Sequence, residues 1–364
     1  MAAALFLVGA LGFAQAESPL ERAVELVRER HYAEARQLLE GVSQPAAVSQ
    51  RIAYHRLRAA IASGLGENAD AATEMQAALE SAPADPALLL GAAVAELQAG
   101  QLDIALLHVS SAGESARASA VMGDIQEKRG AFPEAEAAYR RAVELDGGRE
   151  EYRTALGYDL IRHQRFLPAV EALRIAIPLF PKSVRLLTLL GIAQYASGDA
   201  DGAIATLSGA IRADAQAEPA YRSMSQIVLE SSAVPPALVA EQLCRWNPIV
   251  CQALKLRLAR EKGDAAMQAQ AIAGLESAPD RDPVATCELA RAREWSNRMP
   301  EARKEMEKCV ASNPSPQNHY RLGRIYQRLG LSSLAREQMD LRYRILEGMS
   351  EQAANGLSAL KSIQ

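Results

Sequence analysis

The chain has 364 residues, of which 49% are hydrophobic and only 5% aromatic, and its formal net charge is −4. This balance argues against a nucleic-acid-binding protein that is held to phosphates by an overall positive field. Much of the apolar share is alanine, which is the best helix former and lets helices approach closely. The composition therefore favours a tightly packed, all-α structure.

The first residues have the pattern of an export signal. An apolar run over residues 2–13 is followed by Ala14-Gln15-Ala16, the small-x-small pattern that signal peptidases recognise. The run is shorter than the ~20 residues that a permanent membrane anchor needs. The sequence therefore predicts a signal peptide at residues 1–16 and an exported mature chain, periplasmic or secreted, with no integral membrane span. A buried N-terminal helix is the alternative.

Small residues recur at or near every 34 positions through much of the chain, and a second small residue follows most of them after twelve. Two antiparallel helices cross closely only where neither carries a bulky side chain, so this spacing predicts helix pairs. A glycine seven residues after the first small residue, such as Gly130 or Gly330, is expected to end the first helix of a pair. The first small residues are Ala59, Ala93, Gly123, Gly157, Gly191, Ser225, Ala290 and Gly323.

This period and its small-residue pattern resemble the tetratricopeptide repeat family. The resemblance covers residues 17–346 and implies a right-handed superhelical solenoid of antiparallel helix pairs. We expect roughly nine units, with a tenth opened at residue 316, and a capping helix or tail over residues 347–364. Residues 218–282 are expected to be degenerate, because Pro235-Pro236 stands where a second helix should start. The units begin near residues 18, 52, 86, 116, 150, 184, 218, 250 and 283.

The resemblance also implies a concave groove, lined by the first helix of each unit, that binds a segment of a partner protein. Groove positions lie three residues before the first small residue of a unit and one, four and five residues after it. For each of them the alternative is an ordinary solvated helix face. The groove candidates selected in this way are Asp124, Glu127, Tyr158, Arg162, Tyr195, Arg291, Tyr320, Arg324 and Arg328.

The candidates at the C-terminal end of the groove suggest the chemistry of the ligand. The family's clamp of lysines and asparagines for a peptide's terminal carboxylate is not matched here, where Tyr158 and Arg324 occupy two of the clamp's asparagine positions. Arg324 and Arg328 instead crowd one helix together with Arg321, and arginine pairs well with carboxylates. We therefore expect an acidic partner segment at this end of the groove.

The aromatic residues in the last repeats divide into two groups. Tyr326 falls where the repeat commonly buries a ring between units, so it is expected in the core. Tyr320 and Trp295 are candidates for exposure to the groove, where aromatic rings would help to bind a partner segment.

No catalytic or cofactor-binding motif is recognisable in the sequence. It has no H-E-x-x-H, G-x-S-x-G, P-loop or G-x-G-x-x-G pattern, and its five histidines lie in separate units. We therefore expect a non-enzymatic interaction scaffold without a metal or cofactor. The alternative is an enzyme or cofactor-bearing protein with a site in residues 230–282, because functional sites often lie where local rules fail.

The four cysteines, Cys244, Cys251, Cys287 and Cys309, are confined to one third of the chain. In an oxidising compartment an even number predicts two disulfides. Antiparallel helix pairs favour Cys244–Cys251 across a short turn and Cys287–Cys309 between the start of one helix and the end of the next. The rival pair Cys251–Cys287 would have to cross a helix spacing of ~8–10 Å. Four buried thiols in a cytosolic protein, or a zinc site, remain as alternatives.

Overall fold

The computed structural model describes residues 18–231, 233–278 and 282–349, with side chains as far as residue 346. The predicted signal peptide at 1–16, and the predicted C-terminal cap or tail beyond residue 349, lie outside the described residues. The described part contains twenty α-helices and no β-strand. None of these helices combines the length and the apolar character that crossing a membrane requires. The predicted all-α class is confirmed.

The chain divides into two compact units between Asp146 and Gly147. The first unit contains four consecutive helix pairs. Its helices are α1 (Pro19–Arg28), α2 (Tyr32–Glu40), α3 (Val48–Gly64), α4 (Asn68–Glu80), α5 (Pro86–Gln98), α6 (Leu102–Ser111), α7 (Ala116–Arg129) and α8 (Phe132–Leu145).

The second unit contains six helix pairs, and its odd-numbered helices are the first members of those pairs. Its helices are α9 (Glu150–Arg162), α10 (Phe166–Ala176), α11 (Val184–Ala196), α12 (Ala200–Ala213), α13 (Glu218–Glu230), α14 (Ala237–Trp246), α15 (Pro248–Lys262), α16 (Ala265–Glu276), α17 (Pro283–Trp295), α18 (Met299–Ser312), α19 (Pro316–Arg328) and α20 (Ser332–Met349). The pairs start within a few residues of the positions expected from the repeat.

The helices of a pair run antiparallel and touch where the small residues lie. In the pair α11–α12, a Cβ atom at Gly191 would come within 2.6 Å of Leu207 Cγ. Further along α11, the Oε1 atom of Gln194 accepts a hydrogen bond from the hydroxyl of Thr206, at 2.7 Å. The later residue of α11 thus meets the earlier residue of α12, as antiparallel packing requires. Ala203, the second small residue of this repeat, is fully buried at the same interface.

The turns inside the pairs use a left-handed residue, as the sequence predicts. Gly130 and Gly330 have φ values of 77° and 76°, and glycine adopts this region without a Cβ clash. Gln164 and Asn297 occupy the equivalent positions of their repeats and adopt the same conformation, with φ values of 59° and 58°. The turn geometry is therefore retained in repeats that have lost the glycine.

Residues 218–282, which were expected to be degenerate, form helices α13 to α16. Pro235 and Pro236 lie in the link before α14, whose first residue is Ala237, so the prolines do not interrupt a helix. Asn247 ends α14 and also caps α15, because its side-chain oxygen accepts from the backbone N–H groups of Ile249 and Val250 at 3.0 and 3.1 Å. Helix pairing therefore continues through this segment.

Both disulfides favoured by the sequence are present in the structure. Cys244 and Cys251 bridge the turn between α14 and α15, with a Cα–Cα distance of 4.5 Å. Cys287, near the start of α17, pairs with Cys309, near the end of α18, at a Cα–Cα distance of 4.8 Å. Each bridge joins two helices that are consecutive along the chain, so antiparallel packing alone brings the partners together.

Candidate docking surface in the C-terminal repeats

A cleft of about 690 Å³ lies on the first helices of the last repeats. Tyr320, Arg324 and Arg328 are spaced by four residues along α19, and therefore lie on one face of that helix. Arg321 lines the cleft from the same helix, and Arg260 lines it from α15. We call this feature the basic cleft.

Aromatic rings position two of the guanidinium groups in the basic cleft. The Arg260 guanidinium carbon lies 3.9 Å from the ring centroid of Trp295, and that of Arg324 lies 5.9 Å from the centroid of Tyr320. Such cation–π contacts attract the cation while leaving its charge uncompensated by a carboxylate. Arg260 and Arg324 are thus oriented by aromatic rings and still able to pair with an anion.

The lining of the basic cleft is strongly positive. Four arginines line it against a single carboxylate, that of Glu294, which is itself buried. None of the four guanidinium groups forms an ion pair with a described residue, although Arg328 Nη2 donates to Asn297 Oδ1 at 2.8 Å. Arginine carries its charge throughout the physiological pH range. The cleft therefore has the electrostatics of a surface for acidic ligands.

A second cavity, of about 430 Å³, opens beside the basic cleft and shares Gln317 and Arg321 with it. Its walls come from α13, α15, α17 and α19, and Trp246 lies at its edge at the end of α14. Trp246 is stacked on Tyr221 of α13, with ring centroids 5.5 Å apart. We call this feature the arginine cavity.

A buried ion pair forms part of the wall of the arginine cavity. Glu288 and Arg291, both on α17, pair with each other, and only 2% and 8% of their surfaces are exposed. Arg291 Nη1 also donates to the backbone carbonyl of Leu229 at 2.7 Å. Arg257 of α15 donates to the same carbonyl at 3.1 Å, and also to the carbonyl of Ser231.

These contacts join the C-terminal end of α13 to α15 and α17, which are the first helices of the next two pairs. The last carbonyls of a helix have no partner within it and carry a partial negative charge, which cationic side chains stabilise. Burial lowers the pKa of the Arg257 guanidinium, and the nearby Glu288 carboxylate opposes that shift. Arg257, Glu288 and Arg291 therefore form a structural network that joins α13, α15 and α17.

The remaining groove candidates line neither of these two features. Asp124 and Glu127 are on α7 in the first unit, where Asp124 Oδ1 accepts a hydrogen bond from Tyr139 at 2.7 Å. Tyr158 and Arg162 are on α9, and the hydroxyl of Tyr195 on α11 donates to Glu230 Oε2 at 2.8 Å. The structure thus collects Tyr320, Arg324 and Arg328 in the basic cleft and places Arg291 in the wall of the arginine cavity.

The family comparison agrees with this architecture. Residues 56–112 and 154–218 match the family model described as "Tetratricopeptide repeat". The chain contains tetratricopeptide repeats. Repeats of this family indicate a protein–protein interaction scaffold, and proteins built from them are generally non-enzymatic. No curated protein matches the sequence significantly.

Comparison with solved structures finds similar chains at low sequence identity. The C-terminal part of a repeat protein from Cytophaga hutchinsonii is 14% identical and has a TM-score of 0.43, with 81% of this chain and 95% of that chain covered. Pseudomonas aeruginosa pilF is 14% identical, with a TM-score of 0.43 and coverages of 57% and 95%. YrrB, described as having an unusual peptide-binding site, is 18% identical, with a TM-score of 0.38 and coverages of 51% and 93%.

The tetratricopeptide repeat pattern does not identify every residue of these features. Glu288 and Arg257 do not stand at groove positions of the repeat. Trp246 lies at the end of α14, which is the second helix of its pair. A glutamate three residues before an arginine is a common exposed pair on helices, so the sequence contains no signal that Glu288 is buried. Among the aromatic residues singled out in the sequence, Tyr326 lies in the core, and Tyr320 and Trp295 line the basic cleft.

Proposed function

We propose that this protein is a non-enzymatic scaffold of the cell envelope that binds an acidic segment of a partner protein in a groove formed by first helices. The basic cleft is where the segment docks. The observation that supports this proposal is the charge of that cleft, in which four arginines face one carboxylate beside two aromatic rings. Arginines with free N–H edges recognise carboxylates in a directional way, and aromatic rings add apolar contact area.

The alternative, an enzyme with a site in residues 230–282, is less well supported by the geometry. That segment contributes Trp246, Asn247 and Val250 to the arginine cavity, so a pocket does exist there. The ionisable residues that line this pocket are arginines and glutamates. Two of them, Glu288 and Arg291, are paired with each other, and Arg291 also joins α17 to the end of α13. This arrangement suits the binding of an anion better than the transfer of a proton or the attack of a nucleophile.

Reversing two charges in the basic cleft tests the proposed docking. The probe is a short fluorescein-labelled peptide rich in Glu and Asp, titrated with the full chain and followed by fluorescence anisotropy. Replacing Arg324 and Arg328 together by Glu should weaken binding by about tenfold or more, because the new carboxylates repel the probe. Raising the salt concentration should weaken binding to the unaltered chain as well, since exposed charges are screened over ~8 Å at physiological ionic strength.

The matched control reverses two exposed arginines on second helices, Arg174 of α10 and Arg212 of α12, and so makes the same change in net charge. This control should bind the probe as the unaltered chain does, and both variants should keep the helical circular-dichroism spectrum. Equal loss of binding in the two double variants would show that only net charge matters. The basic cleft would then not be the docking surface.

We also propose that the protein is exported. Two disulfides are typical of oxidising compartments, and this agrees with the signal peptide expected at residues 1–16. Protein isolated from its native host with thiols blocked should give disulfide-linked peptides containing Cys244 with Cys251 and Cys287 with Cys309. Its N-terminus should lie near Glu17. Free thiols at all four positions, or an intact Met1 on cytosolic material, would contradict export.

A further inference from the structure

The wall of the arginine cavity contains a guanidinium group with one unused edge. Arg291 employs Nη1 for both Glu288 and the carbonyl of Leu229. Its Nε is buried without a hydrogen-bond partner, and its Nη2 has none among the described residues. The Nε and Nη2 groups donate in parallel, which is the arrangement that a carboxylate accepts with both oxygens. A buried donor left unpaired costs free energy, so this edge favours an acceptor.

A second guanidinium group, that of Arg321, lines the same cavity. It makes no hydrogen bond or ion pair to any described residue, although it is half-buried on α19. Burial lowers the pKa of Arg321 and the positive charge of Arg291 lowers it further, while the carboxylates of Glu294 and Glu288 oppose the shift. Neither carboxylate forms a direct ion pair with Arg321, so its N–H groups remain available to a ligand.

The charges of the lining indicate a singly charged ligand. Of the three arginines in the lining, Arg222 pairs with Glu218 and Arg291 pairs with Glu288, whereas Arg321 has no directly paired carboxylate among the described residues. One guanidinium group is thus available for a new ion pair, which matches a single carboxylate better than a doubly charged phosphate. The N-terminus of α15 also faces the cavity, and its partial positive charge acts in the same direction. Its first amides are already capped by Asn247, so the arginines are left to bind the anion directly.

We propose that the arginine cavity binds one acidic residue of the partner segment, whose carboxylate is held between the free edge of Arg291 and the guanidinium of Arg321. This proposal rests on the proposed function, because the same segment lies in the adjoining basic cleft and Arg321 lines both features. A volume of about 430 Å³ falls within the range of ~300–1,000 Å³ found for ligand pockets, so it accommodates a side chain together with its backbone.

The two tryptophans allow the cavity and the cleft to be monitored separately. The chain has only Trp246, which lines the arginine cavity, and Trp295, which lines the basic cleft. Full-length Trp295→Phe and Trp246→Phe variants are each titrated with the unlabelled acidic peptide while indole emission is recorded. We expect the emission of Trp246 to change on saturation. An analogue in which Gln and Asn replace every Glu and Asp should leave it unchanged.

Removal of Arg321 provides the test by substitution. Arg321→Gln should weaken binding of the acidic peptide roughly tenfold to a hundredfold, as loss of a hydrogen bond between charged groups does. It should also abolish the response of Trp246 in the Trp295→Phe background. Arg212→Gln removes the same charge from the exposed surface of α12 and should change neither quantity. Because Arg321 has no hydrogen-bond or ion-pair partner among the described residues, Arg321→Gln should melt at the same temperature as the unaltered chain or higher.

The possible results separate this inference from the proposed function. Binding that depends on Arg324 and Arg328, with no change in Trp246 emission and full affinity in Arg321→Gln, would overturn the inference and leave docking in the basic cleft intact. Absence of binding to the unaltered chain would overturn both. If Arg321→Gln does not fold, the Trp246 titration in the Trp295→Phe variant alone decides whether the cavity is occupied.

Discussion

Replacing Glu288 by Gln should lower the free energy of unfolding by about 3–5 kcal/mol, the usual cost of removing one partner from a buried ion pair. Glutamine keeps the size of the side chain but removes the charge opposite Arg291. Arg291 would then be buried without its ion-pair partner, and Arg257 would lose the nearby charge of Glu288, although both hold the end of α13. Urea denaturation followed by circular dichroism measures the change.

The matched control for Glu288→Gln is Glu218→Gln, which removes an exposed partner of Arg222. Each of the two ion pairs joins a glutamate to an arginine on the same helix. The side chains of Glu288 and Arg291 are only 3% and 9% exposed. Those of Glu218 and Arg222 are 57% and 56% exposed. Exposed pairs contribute only ~0–1 kcal/mol. Similar destabilisation by both substitutions would show that the network at the end of α13 is not needed for stability.

Replacing Gly157 by Leu should lower the free energy of unfolding by about 1–3 kcal/mol or more. Gly157 on α9 faces α10, and even a Cβ atom there would lie 2.6 Å from Leu173 Cδ2. Leu173 is fully buried, so it cannot move aside without disturbing its neighbours. The larger side chain would force the two helices of this repeat apart.

Gly209 in α12 provides the contrasting position. A Cβ atom there would have its nearest neighbours at 3.9 Å, which is an ordinary contact. Gly209→Ala should therefore raise stability by about 0.5–1 kcal/mol, through the better helix propensity of alanine. Thermal melts of both variants test the assigned helix register. If Gly157→Leu melts at the same temperature as the unaltered chain, the close approach of α9 and α10 at Gly157 is wrong.

Much of the local architecture can be predicted from single positions along the chain. The paired small residues specify where two helices touch, because a bulky Cβ substituent there prevents close crossing, as Gly191 against Leu207 illustrates. The cysteine pairing was predictable for the same reason, since Cys287 and Cys309 lie in two helices that are antiparallel neighbours. Pro235 and Pro236 lie in the link before α14, so the departure from the repeat pattern there lengthens a link and helix pairing continues.

The candidate site was only partly predictable. The crowding of Arg324 and Arg328 on one face of α19 is visible in the sequence, because a spacing of four residues in a helix places side chains on the same side. The sequence could not show that Arg260, in a different repeat, lies over Trp295 and faces the same cleft. That contact depends on the packing of one helix pair against another, which the spacing within a pair does not specify.

By itself, the sequence determined the helix pairs, their turns, the contacts inside each pair and the partners of the cysteines, because these depend on residues close together along the chain. Only the tertiary structure decided that Glu288 and Arg291 are buried, that one edge of Arg291 has no partner among the described residues, and that Arg321 lines the same cavity. The physical reason is that the cavity is bounded by four helices from four successive repeats. Its charge balance results from their combined packing rather than from any one segment.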